Sequence, residues 1–285
     1  MRIISALLAF TALLLLSCQK ERNFASTSNT GTGNTSSDGL LVKTVLKNGS
    51  DSIVATYGYN ANKKLIILKK VGTDDQGDPV NTEYHIHRNS SGIITDFSTI
   101  DPALVAAGVD SIPTVVHYSS SRYTSYVIRV IVPGFILVDS SAFVYDGAGR
   151  VVAENLYESP SGAGNDYYLS GKFNYSYSTN GNVSGFVIHD YDQAGAEVFT
   201  ATVSNINYDS KTNPLYMQNE GFALGHYDWA SPNNMVSAQS GDSNGPADDQ
   251  TITYTYTYNS NNKPATSTVK IMPDNQVANT TYSYQ

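Results

Sequence analysis

The sequence predicts an all-β protein: an antiparallel meander that forms a barrel or a strongly curved sheet, with one or two short helices as interruptions or as a plug. Three observations carry this prediction. From Leu40 onward the side chains alternate with period two rather than 3.6. A short turn signature recurs after several of the alternating segments, and the turns are not evenly spaced, as the repeats of a solenoid would be.

The N-terminus has the pattern of a lipoprotein leader. Met1-Arg2 precedes an apolar run from Ile3 to Leu16, which is too short for a stable transmembrane anchor. The ending Leu15-Leu16-Ser17-Cys18 resembles the lipobox of bacterial lipoproteins. The resemblance implies that residues 1–17 are a signal peptide and that Cys18 is lipidated after cleavage. The alternative is an ordinary secretory leader that ends near Ser17, with Cys18 as a free thiol.

Residues 18–39 are predicted to be a disordered tether. From Asn23 to Gly39 the chain is nearly all Ser, Thr, Asn and Gly, a composition that cannot bury enough apolar area to offset the entropy of ordering. Gln19 after the cysteine favours the outer membrane, by resemblance to known sorting rules. We therefore expect a single β-domain, residues 40–285, held off an outer-membrane surface by its lipid.

Composition excludes several classes of partner and site. The 285 residues include 17 Lys plus Arg against 25 Asp plus Glu, a net charge of −8 that disfavours nucleic acid. The single Cys excludes a disulfide framework and a multi-cysteine metal site.

The clearest predicted strand runs from Thr251 to Tyr258, where Thr alternates with larger side chains. One face then carries the Thr residues and the other Ile252 and three Tyr, as in a half-buried strand. Lys172–Ser178, Tyr84–His87 and Ser52–Tyr59 follow the same pattern less regularly.

The turn signature has an aromatic residue at position 0, a polar turn former at +1, often Gly, Ser or Asn at +4, and an apolar residue or Pro at +6. It predicts a hairpin in which the +1 side chain bonds the backbone two residues on and positions 0 and +6 face each other. The copies begin at Tyr59, His87, Tyr145, Tyr177, Tyr191, Tyr208 and Tyr258.

Three segments are predicted to interrupt the sheet. Asp101–Gly108 has the start and stop signals of a short helix. Asn213–Met217 and Ser231–Met235 each suggest a helical turn, and Phe222–Trp229 between them is expected to pack inside the sheet or cap it. The apolar stretch Tyr126–Val138 is expected to be a core hairpin, with a ligand-lining or lipid-facing stretch as the alternative. The Ser, Thr and Asn residues of the other strands argue against a membrane-spanning barrel.

Two family resemblances follow from these motifs. Tyr145–Val151 resembles the YD repeat of bacterial shell-forming and adhesive β-proteins. The blocks Tyr208–Pro214, Ser231–Ser237 and Tyr254–Asn259 with Lys263-Pro264 resemble a family of uncharacterised Bacteroidota lipoproteins with a porin-like β-fold. That family has no assigned activity, so the resemblance implies a fold and a location but no site residues.

No catalytic motif is present, and four groups of residues remain as candidate sites. His85 and His87 could begin a metal site, although a hydrogen-bonded or exposed pair is the simpler interpretation. Asp242–Asp249 and Asp74–Asp78 offer oxygen ligands for calcium but lack the spacing of a known calcium loop. Tyr227, Asp228 and Trp229 combine aromatic rings with a carboxylate, a composition that binds sugars but also suits a core with a wet rim.

These observations predict an outer-membrane lipoprotein that is a non-catalytic binding or envelope-structural module, with no cofactor, no metal and no nucleic-acid partner. The alternative is a cell-surface glycan-binding lipoprotein of a nutrient-uptake system, with Tyr227, Asp228 and Trp229 as ligand contacts. A hydrolase whose site is split across loops is a third hypothesis, which an inward-facing cluster of carboxylates would favour.

Overall fold

The computed structural model describes residues 39–285, apart from 75–76, 102–104, 106–107, 133–134 and 246–248. The predicted signal peptide, Cys18 and nearly all of the tether lie outside the described residues, as does most of the predicted helix Asp101–Gly108. In the described part of the chain, no helix is long and apolar enough to cross a membrane.

The described residues form a closed barrel of antiparallel strands in sequence order, sealed by the pairing of β1 with β16. The all-β prediction is confirmed, and of the two predicted shapes the chain adopts the barrel. The strands are β1 Leu41–Asn48, β2 Asp51–Tyr59, β3 Leu65–Thr73, β4 Pro79–Arg88, β5 Ile94–Ile100, β6 Ile112–Ser119, β7 Arg122–Val132, β8 Phe135–Tyr145, β9 Val151–Glu158, β10 Tyr168–Tyr177, β11 Val183–Tyr191, β12 Glu197–Thr212, β13 Asn233–Asp242, β14 Gln250–Tyr258, β15 Pro264–Met272 and β16 Gln276–Tyr284.

Alternation along each strand separates the interior of the barrel from its outer wall. In β14 the Thr residues are exposed, whereas Ile252 and the three Tyr are partly buried on the inner face. Neighbouring β15 buries Ser267, Val269 and Ile271 while exposing Thr266 and Lys270. The wall that results is polar outside and apolar or aromatic inside.

The turn signature forms the predicted hairpins. In the loop between β8 and β9, the Asp146 carboxylate accepts the N–H groups of Ala148 and Arg150, and Gly149 has a φ of +79°. Tyr145 faces Val151 across the ladder. The same bonds to the side chain at +1 recur at Asn60, Asn89, Asp192 and Asn259. A short polar side chain at +1 thus fixes the length of each loop and the register of the next strand.

Three details of the turn and helix predictions are wrong. The copy assigned to His87 begins one residue later, at Arg88, which pairs with Ile94. Tyr208 begins no hairpin, because β12 continues through it to Thr212. Ser231–Met235 is not a helical turn, because Asn233 and Met235 pair with β12 and thereby satisfy their backbone groups in the sheet.

A ring of hydrogen bonds, here called the girdle, encircles the end of the barrel where the loops after the even-numbered strands lie, which we call the insert end. The Asp192 hairpin, between β11 and β12, lies at the opposite end. At the girdle positions a side chain near the end of an even-numbered strand donates to a backbone carbonyl near the start of the preceding odd-numbered strand. The pairs are Tyr59 to Leu41, Arg88 to Leu65, Tyr145 to Tyr123, Tyr177 to Val151, Tyr208 to Val183, Tyr256 to Met235 and Tyr284 to Pro264. The girdle accounts for the aromatic residue at position 0 of the Tyr59, Tyr145 and Tyr177 copies. Tyr191 lies at the opposite end, and Tyr258 donates instead to Asp209.

The connection between β12 and β13, residues 213–232, fills the insert end and is called the plug. It contains the helix α1, Asn219–Ala223, and a 3₁₀ turn, Tyr227–Ala230. Phe222 and Trp229 are 1% and 4% exposed, so the segment Phe222–Trp229 packs inside the barrel. Of the two placements expected from sequence, inside the sheet or capping it, the first is confirmed.

The plug is fixed by a buried ion pair. Arg88, whose side chain is 3% exposed, donates from Nη1 and Nη2 to the two oxygens of Glu220, at 3.1 and 3.0 Å. Lys64 and the Tyr123 hydroxyl also reach this carboxylate. Elsewhere at the insert end, the Asn219 side-chain amide donates a hydrogen bond to the backbone carbonyl of Gly149, in the loop between β8 and β9.

The predicted hairpin Tyr126–Val138 is formed by β7 and β8, and its turn, 133–134, lies outside the described residues. Val130 and Val138 are 5% and 2% exposed. Val138 lies on the outer face, and the loop 159–167 lies against this face. Gly162 is next to the Ile136 side chain, and Ser159 donates its N–H to the Val138 carbonyl. The apolar outer face of this hairpin is therefore partly covered by the protein itself.

Candidate functional site

A cavity of about 580 Å³, the chamber, lies inside the barrel against the plug. Strands β1 to β3 and β11 to β16 form its wall, and the plug residues His226 to Trp229 form its floor. The packed core fills the remaining interior around Phe173, Tyr175 and Phe222 on one side and Phe97 and Tyr123 on another. The interior is thus partly packed and partly hollow.

The floor brings together the three residues predicted from sequence to contact a ligand, and adds His226. Trp229 stacks on the His226 imidazole with ring centroids 3.8 Å apart and planes at 10°. The Tyr227 ring packs against the Phe186 ring, with their centroids 4.7 Å apart. Asp228 differs from its neighbours, because 55% of its side chain is exposed and it lines the chamber.

The floor residues are electrostatically unequal. Burial lowers the pKa of His226 well below its usual value, and the charge of Lys70 adds to the effect, so this imidazole is neutral at pH 7. Although the Asp228 side chain faces the chamber, its desolvation inside the barrel raises its pKa to about 6. The backbone amides of Asp228 and Trp229 and the charge of Lys70 oppose the rise. Asp228 is therefore mostly ionised at neutral pH, 3.9 Å from the uncharged Nδ1 of His226.

The wall is aromatic near the plug and aliphatic farther away. Tyr57, Tyr256 and Tyr282 lie on the inner face in the halves of their strands that approach the plug. Toward the opposite end of the barrel, the far end, the lining includes the aliphatic residues Leu46, Ile53, Ile252, Val269 and Ile271. The polar residues Ser240, Asp242 and Gln250 also line the chamber there. Sequence reasoning missed these residues as site components, although the parity of β14 already placed Tyr254 and Tyr256 on one face.

His85 and His87 lie on the outer wall of β4, where each pairs with a carboxylate. Glu83 lies 2.8 Å from His85 Nε2, and Asp96 lies 2.5 Å from His87 Nδ1. The two imidazoles thus belong to separate, exposed pairs, in agreement with the simpler of the two interpretations. Across the described ranges, no group of three or more His, Cys, Asp or Glu side chains is arranged to hold a metal ion.

The two acidic loops lie at the far end, and each is only partly described. The Asp242 carboxylate accepts the N–H of Asn244 at 2.7 Å, and residues 246–248 of that loop lie outside the described residues. The Asp74 carboxylate accepts the N–H of Asp78 at 2.7 Å, and residues 75–76 likewise lie outside. These carboxylates thus bond to the backbone of their own turns.

The structure also shows buried carboxyl groups that the sequence search did not select. Glu154 accepts hydrogen bonds from Ser141, Tyr126 and Tyr175, and burial raises its pKa. Asp139 faces Glu158 across the β8–β9 ladder, and burial, with the charge of Glu158, raises the Asp139 pKa to about 6. Their inward parity is the sequence signal that could have found them. Neither Glu154 nor the Asp139–Glu158 pair lines the chamber.

Comparison with solved structures shows which fold this is. A porin-like protein from Bacteroides vulgatus ATCC 8482 superposes with a TM-score of 0.54 over 87% of this chain and 99% of its own, at 10% sequence identity. A porin-like protein from Bacteroides uniformis ATCC 8492 superposes with a TM-score of 0.52 over 86% of this chain and 98% of its own, at 12% identity. The porin-like fold expected from the sequence resemblance is thus confirmed. No family model matches the chain, and no curated protein matches it.

Proposed function

We propose that this protein is a non-catalytic, lipid-anchored barrel of the outer membrane whose chamber binds a small ligand. The observation that carries the proposal is the chamber itself. Its volume of about 580 Å³ falls within the roughly 300–1,000 Å³ of small-molecule sites, and its lining combines apolar walls with a few polar groups, as such sites do. An envelope-structural barrel has no need of a hollow interior, which favours binding between the two predicted roles.

The outer wall supports an anchored barrel rather than a membrane-spanning one. A transmembrane barrel needs a continuous apolar band about 25 Å tall on its outer face. On the described strands the outward positions include Thr253, Thr268 and Lys270, and the ion pairs of Glu83 and Asp96 lie on the same wall. Burying these groups in hydrocarbon would cost several kcal/mol for each charge.

Attachment through Cys18 gives a polar barrel a way to stay at a membrane. Two or more acyl chains anchor a protein stably where one does not. Globomycin, which blocks cleavage of lipoprotein leaders, should cause the unprocessed precursor to accumulate in the expressing cell. Normal processing under the drug would contradict lipidation and leave the chamber proposal untouched.

The glycan alternative has weaker support in the geometry. A sugar that stacks on an aromatic side chain needs a free ring face, whereas Trp229 is 4% exposed and stacks on His226. Affinity electrophoresis over a panel of polysaccharides tests this alternative, and retardation by one glycan would establish it. The hydrolase hypothesis has inward carboxylates at Asp139 and Glu158, but they lie outside the chamber lining, where a substrate would have to bind.

Narrowing the chamber tests the proposal directly. Nile red, a neutral apolar probe, should quench the emission of Trp229, which is the only Trp of the chain and lies in the floor. Ala201→Phe places a ring in the chamber and should weaken binding of the probe at least tenfold. Thr253→Phe, on the outer wall of β14 and outside the chamber lining, is the control and should leave binding unchanged. Equal quenching in both variants would overturn the proposal.

A further inference from the structure

The floor of the chamber is polar and acidic, and an aliphatic belt lies farther from the plug. The aliphatic belt formed by Leu46, Ile53, Val269 and Ile271 lies toward the far end, whereas the plug end presents tyrosine rings and the Asp228 carboxylate. The polar residues Ser240, Asp242 and Gln250 also line the chamber at the far end. A ligand that fills such a space has an apolar body and a polar head group, and the head group lies against the floor.

Asp228 is the charged group of the floor that faces the chamber. It projects from the 3₁₀ turn, with 55% of its side chain exposed inside a barrel whose other floor residues, His226 and Trp229, are nearly fully buried. Its ion-pair contact within the described chain is with His226 Nδ1 at 3.9 Å, and that imidazole is neutral. Lys70 also lines the chamber and opposes part of the negative potential.

Three tyrosine side chains line the chamber together with this carboxylate. Burial raises the pKa of Tyr57, Tyr227 and Tyr254, and the negative charge of Asp228 adds to the rise at each of them. Faces of aromatic rings together with a carboxylate form the environment that proteins use to bind ammonium groups, through cation–π attraction and charge pairing.

Building on the proposed function, we propose that the chamber binds a cationic amphiphile, an ammonium group carried on an apolar chain or ring. The ammonium lies at Asp228 among Tyr57, Tyr227 and Tyr254, and the apolar part extends along the aliphatic belt toward the far end. The ligand ammonium pairs with the Asp228 carboxylate, whose nearest ion-pair partner among the described residues is the neutral imidazole of His226. An anionic amphiphile is disfavoured because its head group would meet Asp228.

Three probes of equal chain length separate head-group charge from apolar fit. Octylamine, octanol and octanoate compete with Nile red for the full-length chain, with displacement followed through the emission of Trp229. Octylamine should bind about tenfold more tightly than octanol, a difference of about 1.4 kcal/mol, and octanoate should bind most weakly. Equal affinities of the three, or a preference for octanoate, would overturn the proposal.

Substitution of the floor carboxylate tests the residue assignment. Asp228→Asn keeps the shape of the side chain and should remove the preference for octylamine while leaving octanol binding unchanged. Asp96→Asn, on the outer wall, is the control and should keep the preference. Circular dichroism of each variant shows that the barrel is intact.

The ligand class and the proposed function can fail separately. If octanol and Nile red bind, and Ala201→Phe blocks them, but octylamine has no advantage, the chamber is a binding site and the ammonium assignment is wrong. If no probe binds with sensitivity to Ala201→Phe, the chamber is not a binding site and both proposals are wrong.

Discussion

Individual tyrosine hydroxyl groups stabilise the barrel at the insert end through hydrogen bonds to backbone carbonyls. In the girdle each hydroxyl satisfies a backbone carbonyl at the start of an odd-numbered strand, where residues such as Leu41, Val151 and Val183 are at most 1% exposed. Water cannot replace such a partner easily, so loss of the hydroxyl leaves a buried acceptor without a donor.

Tyr177→Phe should therefore reduce the free energy of unfolding by about 1–3 kcal/mol, because the Val151 carbonyl loses its 2.6 Å hydrogen bond. Tyr157→Phe on the outer face, where no hydroxyl bond to a described residue exists, should cost under about 0.5 kcal/mol. Urea denaturation measures both. Equal effects would show that the girdle bonds do not stabilise the barrel.

The buried carboxyl group of Asp139 predicts how stability depends on pH. Its folded-state pKa of about 6 lies above the ordinary 3.8, so the folded protein binds this proton more tightly than the unfolded chain does. The stabilisation is present below pH 4 and is lost as the pH rises through about 6. Between pH 7.5 and pH 5, Asp139 should thus add on the order of 1–2 kcal/mol of stability.

Asp139→Asn should remove that part of the pH dependence, as thermal unfolding at the two pH values would show. Asp96→Asn serves as the control with the opposite sign. Burial alone would raise the Asp96 pKa, but hydrogen bonds from His87 and Thr95 outweigh it and hold this pKa below its usual value. Its stabilisation is accordingly lost on acidification. If the stability of Asp139→Asn changed between the two pH values as much as that of the unsubstituted protein, the raised pKa of Asp139 would be wrong.

At the scale of elements, the hairpin turns were predictable and the plug was not. A polar side chain at +1 and a residue that tolerates positive φ at +4 are local requirements, so the copies at Tyr59, Tyr145, Tyr177 and Tyr258 could be recognised from sequence. Position 0 at Arg88 was missed because Arg fills a place that an aromatic residue usually takes; its guanidinium donates to Leu65 as the tyrosines do to their carbonyls.

The location of the plug depends on contacts distant in sequence. Glu220 reaches Arg88, which is 132 residues away, and no local pattern marks that pair. The floor residues Tyr227, Asp228 and Trp229 were recognised by composition, but the burial of Trp229 under His226 and the exposure of Asp228 to the chamber depend on how the plug enters the barrel. The sequence predicted the residue types of the site and not their roles.

The turn geometry makes a prediction with an internal control. Gly149→Ala should destabilise the barrel by about 1–2 kcal/mol, because its φ of +79° is unfavourable for a residue with a Cβ and no neighbour lies within 4 Å to add a clash. Gly147→Ala in the same loop, whose φ is not positive and whose surroundings are equally open, should change stability little. The melting temperatures of the two variants test this prediction, and equal values would show that the positive φ of Gly149 does not limit stability.

The plug makes the second element-scale prediction. Glu220→Gln leaves the buried Arg88 guanidinium without its counter-charge and should cost about 3–5 kcal/mol. Glu83→Gln breaks a half-exposed pair with Lys69 on the outer wall and should cost about 1 kcal/mol or less. If the two variants unfold at the same denaturant concentration, the ion pair does not hold the plug.

The whole molecule combines a polar outer wall, one end closed by the plug and a hollow beside the packed core. The polar wall and the interior follow from the period-two alternation of the strands, because one parity faces water and the other faces inward. The plug depends instead on long-range contacts such as Arg88 with Glu220. Where inward side chains are large, as at Phe173 and Tyr175, they fill the interior. Where they are smaller, as at Ala201 and Ser267, they leave space for a ligand.

A crystal structure of the full-length chain soaked with octylamine tests this account most directly. The account predicts one amphiphile inside the barrel, with its nitrogen within hydrogen-bond distance of the Asp228 carboxylate and its chain against Ile53 and Ile271. Amphiphile bound only on the outer wall, with side chains filling the chamber, would contradict it.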